Sequence, residues 1–362
     1  MTKSLLERAR DSRVVRQVAS RVLRVRPLMA LSTKLFGGIG SIVVLHRVVA
    51  SVSDISPLPS FGGEIDVEYL REILAFCRRS DIDIVSLDEA VARIVKARAS
   101  EKTKRFIVFT FDDGWRDNLT LALPLFREFS EPLTVYIATG FPDGRPLAWK
   151  YSVSDLLFGQ QRLQFSFASR RYDFDLRTIA GKDAAYRAIV GLYTETAPAV
   201  RDEMLCAVLG GSLARAEEKT KELALSWADI QTLAADPLVT IGAHTVNHHN
   251  LALLDAAHLE QELRESKVSL ERKLGRPVRH LAYPYGRKPQ ASVREFAAAQ
   301  SAGFATATTM RAGNIFSGHN DLLHCLPRIN ASGKLNRLEF FEASLSGLVP
   351  AIANRLKRVV GD

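Results

Sequence analysis

The stretch Thr110-Phe111-Asp112-Asp113-Gly114 follows the apolar run Phe106-Ile107-Val108-Phe109 in this chain of 362 residues. The apolar run predicts a buried strand, and Gly114 predicts a break in the chain direction directly after it. Two adjacent carboxylates at the carboxyl end of a buried strand lie where α/β proteins place their chemistry. Because two anionic groups this close repel each other, the pair predicts a cation or a shared proton beside it.

A second informative stretch is His244-Thr245-Val246-Asn247-His248, which follows the apolar run Leu238-Val239-Thr240-Ile241. The two histidines face the same way if the segment forms one helical turn. Two imidazoles and one carboxylate leave one coordination position open, which is typical of a catalytic zinc site. The histidine spacing alone is common, whereas T-F-D-D-G has a chance rate on the order of 10⁻⁴ in a chain this long. Together the two motifs predict a metal site.

These motifs, with Ala282-Tyr283-Pro284-Tyr285-Gly286, resemble the polysaccharide deacetylases, also called NodB-homology domains or family 4 carbohydrate esterases. The likeness runs from about Ser41 to about Asn330 and is interrupted by one insertion. It implies an α/β fold, a distorted (β/α)7 TIM-like barrel. It also implies metal-dependent removal of the acetyl group from an N-acetylated sugar. The run Ile42–Val48 resembles the first strand of the poly-N-acetylglucosamine deacetylase-like branch.

The resemblance carries roles to individual residues. Asp112 matches the general base that takes a proton from the attacking water. Asp113, His244 and His248 match the three metal ligands. The backbone N–H of Tyr285 matches a donor to the developing oxyanion, an interaction typically worth about 3 kcal/mol.

Two departures from the family pattern lead to further candidates. Many members have an arginine near the start of the P-Y-G motif, directed at the base, whereas this chain has Ala282 there. Arg328, late in the predicted barrel, is the candidate replacement. The usual last histidine motif has no clean copy, so His46 after the first strand is predicted as the acid that protonates the leaving amine. His324 is the second candidate for that role.

Other side chains leave two interpretations open. Trp115, Tyr136 and Trp149 either line a sugar groove by stacking or belong to the core and rim. His249 is expected at the surface or behind the metal ligands.

The predicted function is hydrolysis of the N-acetyl group of an N-acetylhexosamine in a polysaccharide, an oligosaccharide or a lipid-linked glycan, with release of acetate. Zinc is the metal expected from the ligand types, although cobalt and nickel also fit. One alternative is an O-acetyl esterase using the same site. Another is a catalytically silent glycan-binding or scaffold protein of the same fold, which the alanine at 282 favours. A third is a membrane-surface adaptor.

Composition fits an enzyme with one main domain, since 47% of residues are hydrophobic and 25% are charged. The three cysteines are far apart in the sequence and form no C-x-x-C motif, which favours free thiols in a reducing compartment. No segment is apolar for long enough to predict a membrane span, and the N-terminus is a poor secretory signal. A cytoplasmic protein is therefore expected.

Charge is concentrated at the N-terminus. Residues 1–36 hold nine basic and two acidic side chains, a net +7 of the chain's +9. Val14, Val18, Val22 and Val25 fall on one helical face, so this extension is predicted as a basic amphipathic helix. Such a helix either binds an anionic membrane surface, here the inner face of the membrane, or packs on the barrel. The segment Pro350–Val360, with Arg355, Lys357 and Arg358, is a second, shorter candidate of the same kind. Nucleic-acid binding is not expected, because no recognised motif accompanies the charge.

Strand and helix patterns alternate between the motifs, which favours a parallel barrel. From about 142 to 225 the alternation stops and a mostly helical pattern replaces it, which predicts an insertion beside the active site. We therefore expect a basic extension over residues 1–36, a deacetylase barrel over 37–335 with that insertion, and a helical tail over 336–362.

Overall fold

The computed structural model describes residues 26–99, 103–332, 337–359 and 361. Seven parallel strands close into a barrel in the order β1-β12-β11-β10-β9-β6-β5, and β5 pairs back with β1. A short strand, β4, extends the sheet beside the start of β5. The predicted distorted (β/α)7 barrel is confirmed. The strands are β1 Gly40–Leu45, β2 Arg47–Val49, β3 Glu64–Asp66, β4 Asp83–Ile84, β5 Phe106–Phe111, β6 Leu133–Ile137, β7 Arg162–Phe167, β8 Arg170–Asp175, β9 Val239–Ala243, β10 His280–Ala282, β11 Thr306–Ala312 and β12 Leu326–Asn330.

Helices surround the barrel and fill the insertion. They are α1 Arg26–Phe36, α2 Val67–Arg79, α3 Leu87–Arg98, α4 Leu123–Phe129, α5 Trp149–Phe158, α6 Ile179–Glu195, α7 Arg201–Leu209, α8 Ala214–Leu223, α9 Trp227–Ala234, α10 Ala256–Leu274, α11 Val293–Ser301, α12 Leu338–Leu345 and α13 Leu348–Ala353. A π-helical turn, Asn118–Ala122, precedes α4. A capping box opens α9, where the side chains of Ser226 and Asp229 each accept a hydrogen bond from the other residue's backbone amide.

The barrel strands are apolar along their whole length because both of their faces are covered. Every residue of β1, β5 and β6 is buried, as expected for parallel strands between a packed interior and a layer of helices. Gly242 in β9 is required by this packing. A Cβ atom at that position would lie 2.4 Å from Cδ1 of the fully buried Tyr136 ring.

The insertion has a hydrophobic core of its own. Helices α5 to α8 and the antiparallel hairpin β7–β8 pack their apolar side chains together, and Leu58 and Phe61 from the loop before β3 join them. Trp115 and Phe141 belong to a smaller cluster with Ala148 at the start of the insertion. The insertion is thus held close to the residues that follow β5.

The terminal segments lie side by side. Ser32 Oγ of α1 donates to the Ser346 carbonyl between α12 and α13 at 3.1 Å. The predicted amphipathic segment containing Val14 to Val25 lies outside the described residues. Cys77, Cys206 and Cys325 are free thiols. No helix among the described residues has the length and apolarity to cross a membrane.

Candidate metal centre and active site

The motif residues meet at one end of the barrel. His46 follows β1, Asp112 and Asp113 follow β5, and His244 follows β9. Tyr285 lies three residues after the end of β10. Since the carboxyl ends of parallel strands share one face of a barrel, these segments converge where such enzymes place their active sites.

The Asp112-Asp113-Gly114 turn sends its two carboxylates in different directions. Asp113 and Gly114 have φ angles of 79° and 98°, a left-handed conformation that is uncommon for aspartate. The turn is fixed by hydrogen bonds from the Asp112 amide to the Leu45 carbonyl at 2.9 Å and from the Ala138 amide to the Asp113 carbonyl at 3.1 Å. Strained backbone of this kind is concentrated at functional sites.

Asp113, His244 and His248 form a group that can hold a metal ion. Oδ1 of Asp113 lies 3.4 Å from Nε2 of each histidine, and one ligand atom from each residue lies within 4.8 Å of the others. Asp113 Oδ1 is buried and accepts no hydrogen bond from a described residue, so it is an acceptor in need of a cation. Two imidazole nitrogens and a carboxylate oxygen fit zinc and its neighbours in the first transition row.

Neighbouring groups orient the side chains of Asp113 and His244, and burial affects the charge of His248. Trp115 Nε1 donates to the second oxygen of Asp113 at 2.9 Å, which leaves Oδ1 for the metal. Nδ1 of His244 bonds the Ala282 carbonyl at 2.7 Å, so Nδ1 carries the proton and Nε2 presents a lone pair. Burial lowers the pKa of His248 to about 3, against the opposing effect of Asp113, and this favours the neutral form that binds metals.

The histidine segment is an irregular loop rather than a helical turn, so the helical turn considered from the sequence is wrong. Thr245 and His248 both have positive φ, 65° and 51°, and the loop folds back so that the two rings lie 4.9 Å apart. Glu262 of α10 holds this loop, because its buried carboxylate accepts from the amides of Val246 and Asn247 at 2.9 Å each. A carboxylate bound to consecutive amides stabilises a turn that local propensity alone would not favour.

Arg328 and Asp112 form a buried, two-pronged ion pair. The two terminal nitrogens of Arg328 lie 2.7 Å from the two carboxylate oxygens of Asp112, and Nε donates to the Thr309 carbonyl at 2.9 Å. Burial alone would raise the pKa of Asp112, but the Arg328 guanidinium, together with His244 and His46, opposes burial and the net pKa is lowered. The residue proposed to replace the family arginine therefore does contact the proposed base, and it lies within β12, the last strand of the barrel.

His46 lies beside the same carboxylates. Burial lowers the pKa of His46, and the carboxylates of Asp113 and Asp112 oppose that effect. The three groups are therefore close enough to interact electrostatically. Its backbone is anchored by Asn118, whose side-chain amide donates to the His46 carbonyl at 2.9 Å. Nδ1 of His46 is buried and has no partner among the described residues.

His324 is held elsewhere. Its Nε2 bonds the Phe304 carbonyl at 2.8 Å, and its own carbonyl accepts from the Tyr283 hydroxyl at 2.8 Å. These bonds explain His324 as a structural residue, and the geometry favours His46 for the acid.

Tyr285 contributes both backbone and ring. Its φ of 61° turns the chain between Pro284 and Gly286, and its amide donates to no described residue. Its ring lies 4.9 Å from the His248 ring. An amide held in this way beside the metal ligands is available to a substrate oxygen.

The three candidate stacking aromatics are buried. Trp115, Tyr136 and Trp149 are 6%, 0% and 3% exposed, so they pack rather than offer a face to a sugar. His249 lies behind the ligands, where its Nδ1 contacts NH1 of Arg201 at 2.8 Å. Burial lowers the pKa of His249 to about 4.

Sequence reasoning missed three residues around this site. Glu262 supports the histidine loop, Arg201 binds His249, and Lys150 of α5 lies with its Nζ 5.9 Å from the centre of the Tyr285 ring. Lys150 and Arg201 belong to the insertion, and Glu262 belongs to α10, the helix that follows the histidine segment. No local pattern in the sequence indicates that they approach the motifs.

The parallel barrel places a group that could hold a metal ion beside an arginine-paired aspartate, an arrangement suited to metal-assisted hydrolysis. Residues 198–307 match the model of the polysaccharide deacetylase family. That segment contains the histidine motif and the P-Y-G motif, and Thr110–Gly114 precedes it. The predicted resemblance and the predicted enzyme class, a carbohydrate deacetylase, are confirmed.

Solved structures of low sequence identity share the fold. The Streptococcus pyogenes deacetylase PplD is 16% identical with a TM-score of 0.50, over 80% of this chain and 91% of that chain. A de-N-acetylase from Aggregatibacter actinomycetemcomitans is 15% identical with a TM-score of 0.50, over 80% and 94%. IcaB from Ammonifex degensii is 14% identical with a TM-score of 0.51, over 86% and 98%. No curated protein sequence shows significant similarity to the chain.

Proposed function

We propose that this protein hydrolyses the N-acetyl group of an N-acetylhexosamine within a glycan and uses zinc at Asp113, His244 and His248. The observation that supports this proposal most strongly is that two groups with different chemistry lie side by side. A group suited to a divalent metal lies directly beside an aspartate that a buried arginine keeps ionised. Zinc, when bound, would polarise the acetamide oxygen and lower the pKa of water.

Each side chain then has a distinct task. Asp112 accepts a proton from the water that attacks the acetamide carbon, and Arg328 keeps the carboxylate ionised and oriented. The Tyr285 amide donates to the oxygen on which negative charge develops. His46 gives a proton to the departing nitrogen, so that the C–N bond breaks to release acetate and a free amine.

Acetate release is the direct test. The wild type is expected to free acetate from N-acetylglucosamine oligomers, and Asp112→Asn is expected to lose at least about 100-fold in kcat while it still binds zinc. Asp236→Asn, at an aspartate paired with Arg127 outside the site, is the matched control and should keep full activity. A wild type that releases no acetate from any N-acetylated glycan would refute the proposal.

Defined N-acetylated and O-acetylated sugars separate the amide hydrolase from the O-acetyl esterase. Faster acetate release from O-acetyl sugars, at equal concentration, would favour the esterase. The silent-scaffold alternative drew its support from Ala282, and Arg328 removes that support because it contacts Asp112 in place of the family arginine.

We further propose that the protein is cytoplasmic and contacts the inner face of the membrane through its basic termini. Exposed apolar side chains near both described termini support this, with Leu31 of α1 and Ile352 of α13 being 54% and 71% exposed. Removal of residues 1–25, together with Leu31→Glu, should lower binding to anionic vesicles and spare acetate release. Unchanged vesicle binding would exclude this contact.

A further inference from the structure

The insertion supplies one wall of the active site, and that wall carries a positive charge close to the metal group. Lys150 lies in the first turn of α5, with its Nζ 5.9 Å from the centres of both the Trp149 and Tyr285 rings. The Tyr285 ring in turn lies 4.9 Å from the ring of the ligand His248. One aromatic ring therefore separates the ammonium group from the metal centre.

Lys150 has no carboxylate partner of its own among the described residues. Its ammonium group lies against the two aromatic rings, and the side chain is partly buried. Burial lowers its pKa, and the Asp113 carboxylate opposes the shift. When a metal is bound, its positive charge offsets the negative charge of Asp113. The Asp113 carboxylate then no longer offsets the positive charge of Lys150. A partly buried cation that lacks a partner is costly, and a leucine or methionine would pack at the same place without that cost.

A second cation lies in the same wall. Arg201, at the start of α7, is 2% exposed and donates to the Thr196 carbonyl at 3.1 Å while its guanidinium covers the Tyr193 ring. Its NH2 atom has no hydrogen-bond partner in the described part of the chain. Arg201 also lies 2.8 Å from Nδ1 of His249, the residue that follows the candidate ligand His248. The insertion thus places two positive charges beside the site, neither of them paired with a carboxylate of the described residues.

We propose that Lys150 recognises an anionic group, a carboxylate or a phosphate, carried by the glycan next to the acetamide that is cleaved. Lys150 contacts the anion, and the buried Arg201 adds to the positive potential without contacting it. This inference rests on the proposed function and deepens it, because it names an acidic glycan as the substrate class. It also gives the insertion a role in specificity.

The test compares substrates that carry the same acetamide and different charge. They are an uncharged N-acetylglucosamine oligomer, an alternating N-acetylglucosamine–glucuronic acid oligomer of equal length, and N-acetylglucosamine 1-phosphate. The carboxylate and phosphate arms identify the source of the anion. For each, the ratio of kcat/KM on the anionic substrate to kcat/KM on the uncharged oligomer is measured.

The wild type should prefer at least one anionic substrate, and Lys150→Gln should lower that ratio by about 10-fold or more, mainly through KM. Lys150→Arg keeps the charge and should keep most of the preference. Lys182→Gln is the matched control, since Lys182 is another lysine of the insertion and lies 5.0 Å from the Phe158 ring. A ratio that is unchanged in Lys150→Gln would overturn the inference. So would equal loss of kcat on all substrates in both Lys150 variants, which would indicate a proton-transfer role.

A binding measurement separates failure of this inference from failure of the proposed function. Affinity for the glucuronic acid oligomer is measured calorimetrically with the zinc-loaded protein, and Asp112→Asn is introduced into both the wild type and Lys150→Gln so that no turnover occurs during the titration. Weaker binding by about 10-fold in Lys150→Gln supports anion recognition even if the wild type releases no acetate. Equal binding by wild type and variant overturns it even if acetate release is fast.

Discussion

Asp112 and Arg328 are 216 positions apart in the sequence, yet two nitrogens of Arg328 each lie 2.7 Å from a carboxylate oxygen of Asp112. Arg328 has two effects on Asp112. It compensates a carboxylate that burial would otherwise protonate, and it fixes the direction of the oxygen that accepts a proton. Because a planar guanidinium matches a carboxylate through two parallel bonds, a lysine cannot reproduce this geometry.

We predict that Arg328→Lys moves the acidic limb of the pH profile of kcat/KM to higher pH. Asp112 works when ionised, so activity is lost as pH falls through its pKa, which Arg328 holds below 3.8. Weaker pairing raises that pKa and shifts the loss upward. The profile is measured from pH 3.5 to 8, with metal content checked at each point. Arg127→Lys, at the surface pair with Asp236, should leave the limb in place. An unmoved limb in Arg328→Lys would contradict the assigned role.

Trp115 is buried and bonds Asp113, so its expected effect is on metal binding by Asp113 rather than on a sugar. We predict that Trp115→Phe, which keeps most of the packing and loses the 2.9 Å bond to Asp113, weakens zinc binding by about 10- to 100-fold. Competition with a chromogenic chelator measures the change. Trp227→Phe removes a similar bond to Asp143 at 2.8 Å outside the site and should leave zinc affinity unaltered. Equal affinities in the two variants would show that the Trp115 bond does not matter.

At the scale of elements, the sequence predicts the strands and the loops that carry the chemistry, because each is local. At β5 and β9, a buried apolar run followed by a polar motif can be identified from the sequence alone, because the pattern does not depend on contacts between distant segments. The shape of the loop after β9 is different. Its positive φ angles and the amides bound by Glu262 depend on a helix that begins 8 residues after His248. The helical spacing of the histidines therefore suggested the wrong backbone, although both histidines do lie beside Asp113.

We predict that Glu262→Gln destabilises the protein by about 1–3 kcal/mol and weakens zinc binding, since a neutral amide accepts more weakly from Val246 and Asn247. Chemical denaturation and zinc titration measure the two effects. Glu271→Gln on the same helix is the control, because Glu271 accepts only from the Val278 amide, at 3.0 Å, away from the metal group. A loss of stability without any change in zinc affinity would show that the loop keeps its shape without Glu262.

At the scale of the whole molecule, the barrel was predictable and the wall of its active site was not. The alternation of apolar strands and helices, with the family resemblance, predicts the closed sheet. The insertion could be located by its helical pattern, but the approach of Lys150 and Arg201 to Tyr285 depends on how α5 and α7 pack in its separate core. Packing between distant segments leaves no periodic signal in the sequence. The proposed catalytic groups thus lie on elements that the sequence predicts, and the proposed anion site lies on an insertion whose packing it does not predict.

Metal binding should couple the separate parts of the barrel. Asp113 follows β5 and the histidines follow β9, so an ion held by all three binds the folded state and has no preformed site in the unfolded chain. We predict that zinc at about 100 times its Kd adds about 2.7 kcal/mol to the free energy of unfolding, and that a chelator reverses this. Thermal denaturation with and without zinc, cobalt or nickel measures the shift and ranks the metals. Asp113→Asn should unfold at one temperature in all of these conditions. A chelator-sensitive unfolding temperature that persists in Asp113→Asn would place the stabilising ion elsewhere in the molecule.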